Sequence, residues 1–231
     1  PHKDQPERTL NRQPQPKTDA NTRETLDMET GSAPQIVDTL IHARWIIPVV
    51  PYKSVLNHCS VAVHQGQILA ILPTEEAKRR FSSSDTHELN DHVVIPGLIN
   101  AHNHTAMTLL RGYADDTPLK TWLEEHIWPA EGQWVDAEFV TDGTRLAAAE
   151  MIRSGTTTFS DMYFFPEETA KVALDAGLRC QLAFPVLDFP TVWGQGPDDY
   201  IHKGLALHDD YRSHPSINVV FGPHAPYTVS D

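Results

Sequence analysis

Apolar positions are sparse over residues 1–34 and dense after them. The first stretch, PHKDQPERTLNRQPQPKTDANTRETLDMETGSAP, offers only Leu10, Ala20, Leu26, Met28 and Ala33 besides its prolines, with no period among them. So little apolar surface cannot offset chain entropy, and residues 1–34 are expected to form a disordered leader. From residue 36 the runs IVDTLIHARWIIPV and CSVAVHQGQILAILP are strand-like, with a Gly-containing turn at His64-Gln65-Gly66-Gln67. TEEAKRRF, residues 74–81, reads as one or two helical turns before strand character returns in THELNDHVV. Residues 35–92 are therefore expected to form a small β unit.

After that unit the pattern alternates. Four apolar strands are expected at 93–104, 156–164, 179–187 and 217–226, separated by helices at 136–153, 167–176 and 198–212. Gly155 and Gly177 stand where a helix end wants a left-handed residue. Strands separated by helices mean βαβ units, an α/β fold and a parallel sheet. An open doubly wound sheet is one solution, but the first strand lacks a Gly-rich phosphate loop and carries His102-Asn103-His104 instead. A (β/α)8 barrel takes about 250 residues by itself. Only four βα repeats are visible, and the fourth stops just past its strand, so the chain reads as the N-terminal half of a longer protein.

Composition narrows the function. The 231 residues hold 18 Lys and Arg against 31 Asp and Glu, a net charge of −13. An acidic chain suits neither nucleic acid nor an anionic membrane surface. No apolar run approaches a membrane span. Two cysteines, Cys59 and Cys180, make neither a disulfide framework nor a Cys-rich zinc site, and a cytoplasmic location is expected. The 13 histidines are the unusual feature. His102 and His104 lie two apart at a strand end, so alternation points both imidazoles to one face. Two neutral imidazoles are half of a zinc or iron site. In a chain this rich in histidine, chance supplies ~0.7 such pairs, so the spacing alone leaves ligation open.

The surrounding residues add a resemblance. VVIPGLINAHNHTAMTLLRG resembles the first-strand signature of the amidohydrolase superfamily. LLRGYADDTPLKTWLEEHIWPAE, SGTTTFSDMYF and VVFGPHAPYTVSD resemble, in order and spacing, the branch of 5-methylthioadenosine/S-adenosylhomocysteine deaminases with the related triazine and chlorohydrolase enzymes. The resemblance spans about residues 36–231. It implies a barrel joined to a small β-sandwich built from both chain ends. Residues 35–92 would be the N-terminal part of the sandwich, and 93–231 the first half of a metal-dependent (β/α)8 barrel.

The resemblance also implies one divalent metal ion, usually zinc and sometimes iron, with His102 and His104 among its ligands. The metal makes hydroxide available near neutral pH, and ammonia is displaced from a ring carbon of a heterocyclic or nucleoside substrate. A homo-oligomeric parent is expected. Glu131 matches the family glutamate that holds ribose hydroxyls, and His224 matches a histidine that contacts substrate. Trp122 and Trp128 are candidates for an aromatic wall, and His126 for the mouth of the site. The catalytic acid/base glutamate would lie beyond Asp231. Phe184 stands where several nucleoside deaminases are aligned with a substrate arginine, which keeps a triazine-like heterocycle in play. The fourth strand, INVVFGPHAP, has no lysine to bridge two metals, which favours one metal and deamination over ring opening. The alternatives are a chlorohydrolase or other C–N hydrolase, and a non-catalytic assembly protein that kept the fold.

Residues 1–231 purified alone are expected to release no ammonia above background from adenosine-like compounds with added zinc or iron. Two imidazoles fall short of the usual three protein ligands, and the missing acid/base group is worth typically 10²–10⁴-fold. Ammonia assay and metal analysis after dialysis test this; turnover at an enzymatic rate would contradict it.

Overall fold

The computed structural model describes residues 33–231. The expected leader at 1–34 therefore lies almost wholly outside the described residues. The chain divides into two units, one running up to Ile46 and resuming over Leu56–Val93, the other comprising Ile47–Val55 and Val94–Asp231.

The first unit is built on strands β1 (Gln35–Ile36), β2 (Thr39–Ile46), β3 (Leu56–His64) and β4 (Gln67–Pro73), helix α1 (Thr74–Arg80), and strands β5 (Phe81–Ser82) and β6 (Asp85–Val94). β4-β3-β2-β6 form one sheet, and β1 pairs with β5. β3 and β4 turn through Gln65 and Gly66, both with positive φ. Val37, Leu40, Ala62, Leu72, Ala77 and Phe81 pack into the small core under α1. His42 is buried there and bonds Ser60, its Nδ1 lying 2.6 Å from Oγ.

The second unit holds a four-stranded parallel sheet in chain order: β7 (Leu98–Asn103), β8 (Thr156–Asp161), β9 (Arg179–Val186) and β10 (Ile217–Pro223). Its helices are α2 (Leu119–Thr121), α3 (Trp128–Trp134), α4 (Ala137–Arg153), α5 (Pro166–Asp175) and α6 (Pro197–Tyr211). The helices expected at 136–153, 167–176 and 198–212 are α4, α5 and α6. α4 begins at Asp136, whose carboxylate accepts the Phe139 N–H at 2.8 Å. α5 and α6 carry proline in the first turn, where no N–H is needed. Gly155 and Gly177 end α4 and α5 at φ of 84° and 71°.

The first expected strand is corrected. Residues 93–104 are not continuous: Val93 and Val94 end β6, and β7 starts only at Leu98. Pro96 cannot donate to a ladder, and Gly97 lies so close to the Thr157 side chain that no Cβ fits. The region between β7 and α4, left without elements by the hydrophobic pattern, folds as a 3₁₀ turn at Thr105–Leu110, α2, a π-helical turn at Trp122–Ile127, and α3.

The main core lies between the sheet and α4, α5 and α6. Phe159, Leu182 and Phe184 meet Ala148, Ala170, Ala173 and Tyr200 there. Small residues let the helices come close. Gly204 of α6 sits on the Phe184 ring, and Gly143 of α4 lies over the 3₁₀ turn, where a Cβ would stand 2.5 Å from the Ala106 carbonyl oxygen.

Gly143→Ala is expected to destabilise the protein by about 1–3 kcal/mol, because the obstacle is backbone and cannot rotate away. Gly132→Ala in α3 meets nothing within 4 Å; it is expected to be neutral or up to ~1 kcal/mol stabilising through helix propensity. Denaturation midpoints of the two variants decide; an unchanged midpoint for Gly143→Ala would contradict the packing argument.

Candidate active site

The C-terminal ends of β7 and β8 are tied together by three hydrogen bonds. The Thr105 N–H donates to Asp161 Oδ1 at 2.6 Å, the Met162 N–H to the Asn103 carbonyl at 3.2 Å, and His104 Nδ1–H to the Met162 carbonyl at 2.7 Å. A carbonyl only accepts, so the proton must sit on His104 Nδ1. Nε2 of that ring then carries a lone pair. His102 lies beside it, ring centroids 5.0 Å apart and nearly perpendicular at 82°.

This arrangement fits a divalent metal. Metal-bound histidines commonly donate their second N–H to a carbonyl, which sets the tautomer. Two imidazoles are ligands that zinc accepts. They are a partial set: among the described residues no three or more His, Cys, Asp or Glu side chains are grouped to hold a metal.

A cavity of about 350 Å³ opens beside His104. His104, Glu131 and His224 all line it, together with Trp122, Trp128 and Tyr163. His102 is exposed at its edge of the sheet and is not among the lining residues. Most of the wall is apolar, supplied by the π-helical turn and α3 on one side and by Leu187 to Val192 on another. π-helical turns are often found at functional sites; this one contributes Trp122, Leu123 and Ile127 to the wall.

Glu131 reaches the cavity from α3. The Tyr163 hydroxyl donates to its Oε1 at 2.8 Å. Burial pushes the Glu131 carboxyl up, and the Tyr163 hydrogen bond works the other way. Burial and then the neighbouring Glu131 push the Tyr163 phenol up, so it remains a donor.

His224 follows β10. Its Nδ1 lies 2.8 Å from Thr228 Oγ1, and the Thr228 hydroxyl already donates to the Ala225 carbonyl. The single hydroxyl proton is thus committed, so Nδ1–H is the donor and Nε2 is an acceptor. Burial, then the nearby His104, push the His224 pKa down, which favours the neutral ring.

Two side expectations are corrected. Phe184 is 1% exposed and packs on the helix side of β9 under Gly204. Alternation along β9 turns Pro185, not Phe184, to the cavity. Phe184 is therefore not part of the cavity wall. His126 packs edge-on against Tyr113, with centroids 6.4 Å apart, and does not line the cavity. Tyr163 and Thr228 were missed by sequence reasoning. Both lie in segments that carry the resemblance, and strand-end position was the available signal for Tyr163.

The amidohydrolase family profile matches residues 93–231. The chain belongs to the amidohydrolase family. It is 57% identical over 194 residues to a 5-methylthioadenosine/S-adenosylhomocysteine deaminase of Saccharophagus degradans, covering 84% of this chain and 44% of that protein. The fold resembles a zinc-bound adenosine deaminase from Xanthomonas campestris with a TM-score of 0.83 at 46% identity, over 85% of this chain and 45% of the other. It also resembles a zinc complex of an atrazine chlorohydrolase from Arthrobacter aurescens TC1, with a TM-score of 0.75 at 20% identity, over 83% and 48%; that likeness concerns the fold alone. The chain thus spans a little under half the length of its curated relatives. Among the described residues no helix is long and apolar enough to cross a membrane.

Asp161 supplies a pH prediction. It is 2% exposed, its Oδ2 has no hydrogen-bond partner among the described residues, and burial raises its pKa from 3.8 to about 7. The folded state then binds the proton more tightly than the unfolded chain. The associated stability is full below about pH 4 and is lost as the pH rises to about 7. Asp161→Asn keeps an oxygen for Thr105 and cannot ionise, so it should flatten that part of the stability profile. Urea midpoints at pH 5 and pH 8 are the measurement; an undiminished difference in the variant would contradict it.

Proposed function

We propose that the complete protein is a metal-dependent hydrolytic deaminase of an aminated purine nucleoside, and that this chain supplies the first half of its (β/α)8 barrel with part of a small β-sandwich over 35–92. The observation that carries the reading is the convergence of His104, Glu131 and His224 on one apolar cavity, with His102 beside His104. The sequential parallel order of β7 to β10 is the order a barrel requires and supports the fold. The zinc named for the adenosine deaminase relative supports a divalent metal ion here. When bound, such an ion supplies Lewis-acid polarisation and activates water near neutral pH.

The chain's own residues then have distinct roles. His102 and His104 would hold the ion, with the Met162 carbonyl fixing the His104 ring and its tautomer so that Nε2 keeps a free lone pair. Glu131 would accept two hydrogen bonds from vicinal ribose hydroxyls, strong because the acceptor is charged. His224, neutral with Nε2 as acceptor, would take a hydrogen bond from a substrate donor. Trp122, Trp128 and the Leu187–Val192 segment would enclose the apolar faces of the ring and sugar and exclude water. The chlorohydrolase alternative has support at the level of fold only, whereas the 57% identity supports a nucleoside deaminase.

In the complete protein, His102→Ala and His104→Ala are each expected to abolish turnover and lower bound metal after dialysis, since each removes a ligand. Full occupancy with normal turnover in both variants would overturn the ligand assignment. Glu131→Gln is expected to raise KM for 5-methylthioadenosine far more than for adenine, by about 1.5–3 kcal/mol. Equal losses on nucleoside and base would mean that Glu131 does not hold the sugar.

A further inference from the structure

Glu131 and Tyr163 come from separate elements, α3 and the segment after β8, yet meet at 2.8 Å in the cavity wall. The Tyr163 ring is 6% exposed and is held by Ala106, Val135 and Val140. Phe164 lies against it, centroids 5.2 Å apart. A ring so packed has no freedom to swing, so its hydroxyl is a fixed donor. Glu131 has three side-chain torsions and would otherwise sample several rotamers in an apolar cavity. An ionised carboxylate only accepts, and the phenol has one hydrogen to give. That hydrogen occupies one lone pair of Oε1 and leaves Oε2 to a ligand.

We propose that Tyr163 is a positioning residue for nucleoside binding: its fixed hydroxyl pins Glu131 through Oε1 in the rotamer from which the carboxylate receives the sugar diol. The inference rests on the deaminase reading above. Tyr163 touches neither the reacting carbon nor the metal in this scheme; it acts through Glu131. The hydrogen bond also counters the effect of burial, which favours the protonated carboxyl. A protonated carboxyl would present a donor where the diol already brings two, so keeping the charge matters for recognition as well as strength. The apolar neighbours of the ring mean that removing the hydroxyl leaves the packing intact.

The test uses the complete metal-loaded protein with Tyr163→Phe, Glu131→Gln, Glu131→Ala and the Tyr163→Phe/Glu131→Ala double variant. Tyr163→Phe is expected to raise KM for 5-methylthioadenosine about tenfold while kcat changes no more than about twofold and KM for adenine is unmoved. Equilibrium binding of 5-methylthioadenosine to the chelator-stripped protein should weaken by about the same factor, a readout that needs no turnover. In the Glu131→Ala background, which leaves no acceptor for the hydroxyl to hold, the Tyr163 substitution should add nothing, because its effect passes through the Glu131 side chain. A selective Glu131→Gln effect with Tyr163→Phe at parental KM and Kd would overturn the positioning role and leave the deaminase reading standing. Loss of kcat on nucleoside and base alike in Tyr163→Phe, or additive losses in the double variant, would also overturn it. No nucleoside-selective effect of Glu131→Gln would instead take down the sugar-binding reading on which it rests.

Discussion

The site depends on the clasp between the ends of β7 and β8. A strand end is where ladder hydrogen bonding stops and backbone groups lose their partners. Here the Asp161 carboxylate takes the Thr105 N–H, and the Met162 backbone takes and gives a bond on either side of Asn103 and His104. Those bonds set three things together. They orient the His104 ring, they start the 3₁₀ turn on which α4 packs, and they fix the segment that carries Tyr163 into the wall. Asp161 does this while fully buried, with one oxygen unpartnered among the described residues, a local cost that the larger core of the unit offsets.

Packing carries that geometry outward. Gly143 lets α4 lie against the 3₁₀ turn, so the turn after His104 is held from above as well as from the clasp. Val135, Val140, Ala106 and Tyr163 form one small apolar cluster, and α3 leads straight into it. Glu131 and His104 are thereby positioned by a shared set of contacts, although 27 residues separate them in sequence. The opposite wall is set by the loop after β9. Tyr200 of α6 donates to the Phe189 carbonyl at 2.9 Å, and Lys203 donates to that of Trp193. A site built this way is largely pre-formed before a ligand arrives, which lowers the ordering cost of binding.

Electrostatics in the cavity follow from burial and committed protons. His104 and His224 both have Nδ1 engaged as a donor, to a carbonyl and to a hydroxyl whose own proton is used elsewhere. Both rings therefore offer Nε2 lone pairs. Glu131 adds a carboxylate in an otherwise apolar wall. The result is a surface rich in acceptors, suited to a cation at one end and to hydroxyl or amino donors elsewhere.

The hydrophobic pattern alone determined the strands of the β unit, the three long helices and three of the four alternating strands. Those features are local, because periods of two and 3.6 and the glycine stops act over a few residues. The quoted motifs extended this to the family and pointed to Glu131 and His224, both of which line the cavity. The break at Pro96-Gly97, the π-helical turn and α3 were not legible, because close approach to Thr157 and burial against a distant cluster decided them. Phe184 shows the same limit: the resemblance aligned it with a substrate arginine, but only the tertiary structure decided which face of β9 met α6. Tyr163 and Thr228 acquire meaning only through the partners they reach. A hydrogen bond between residues 32 apart, such as that from Tyr163 to Glu131, leaves no local pattern in a sequence. Which proton a histidine carries was likewise decided by the three-dimensional network, since nothing in the residue itself favours one nitrogen strongly over the other.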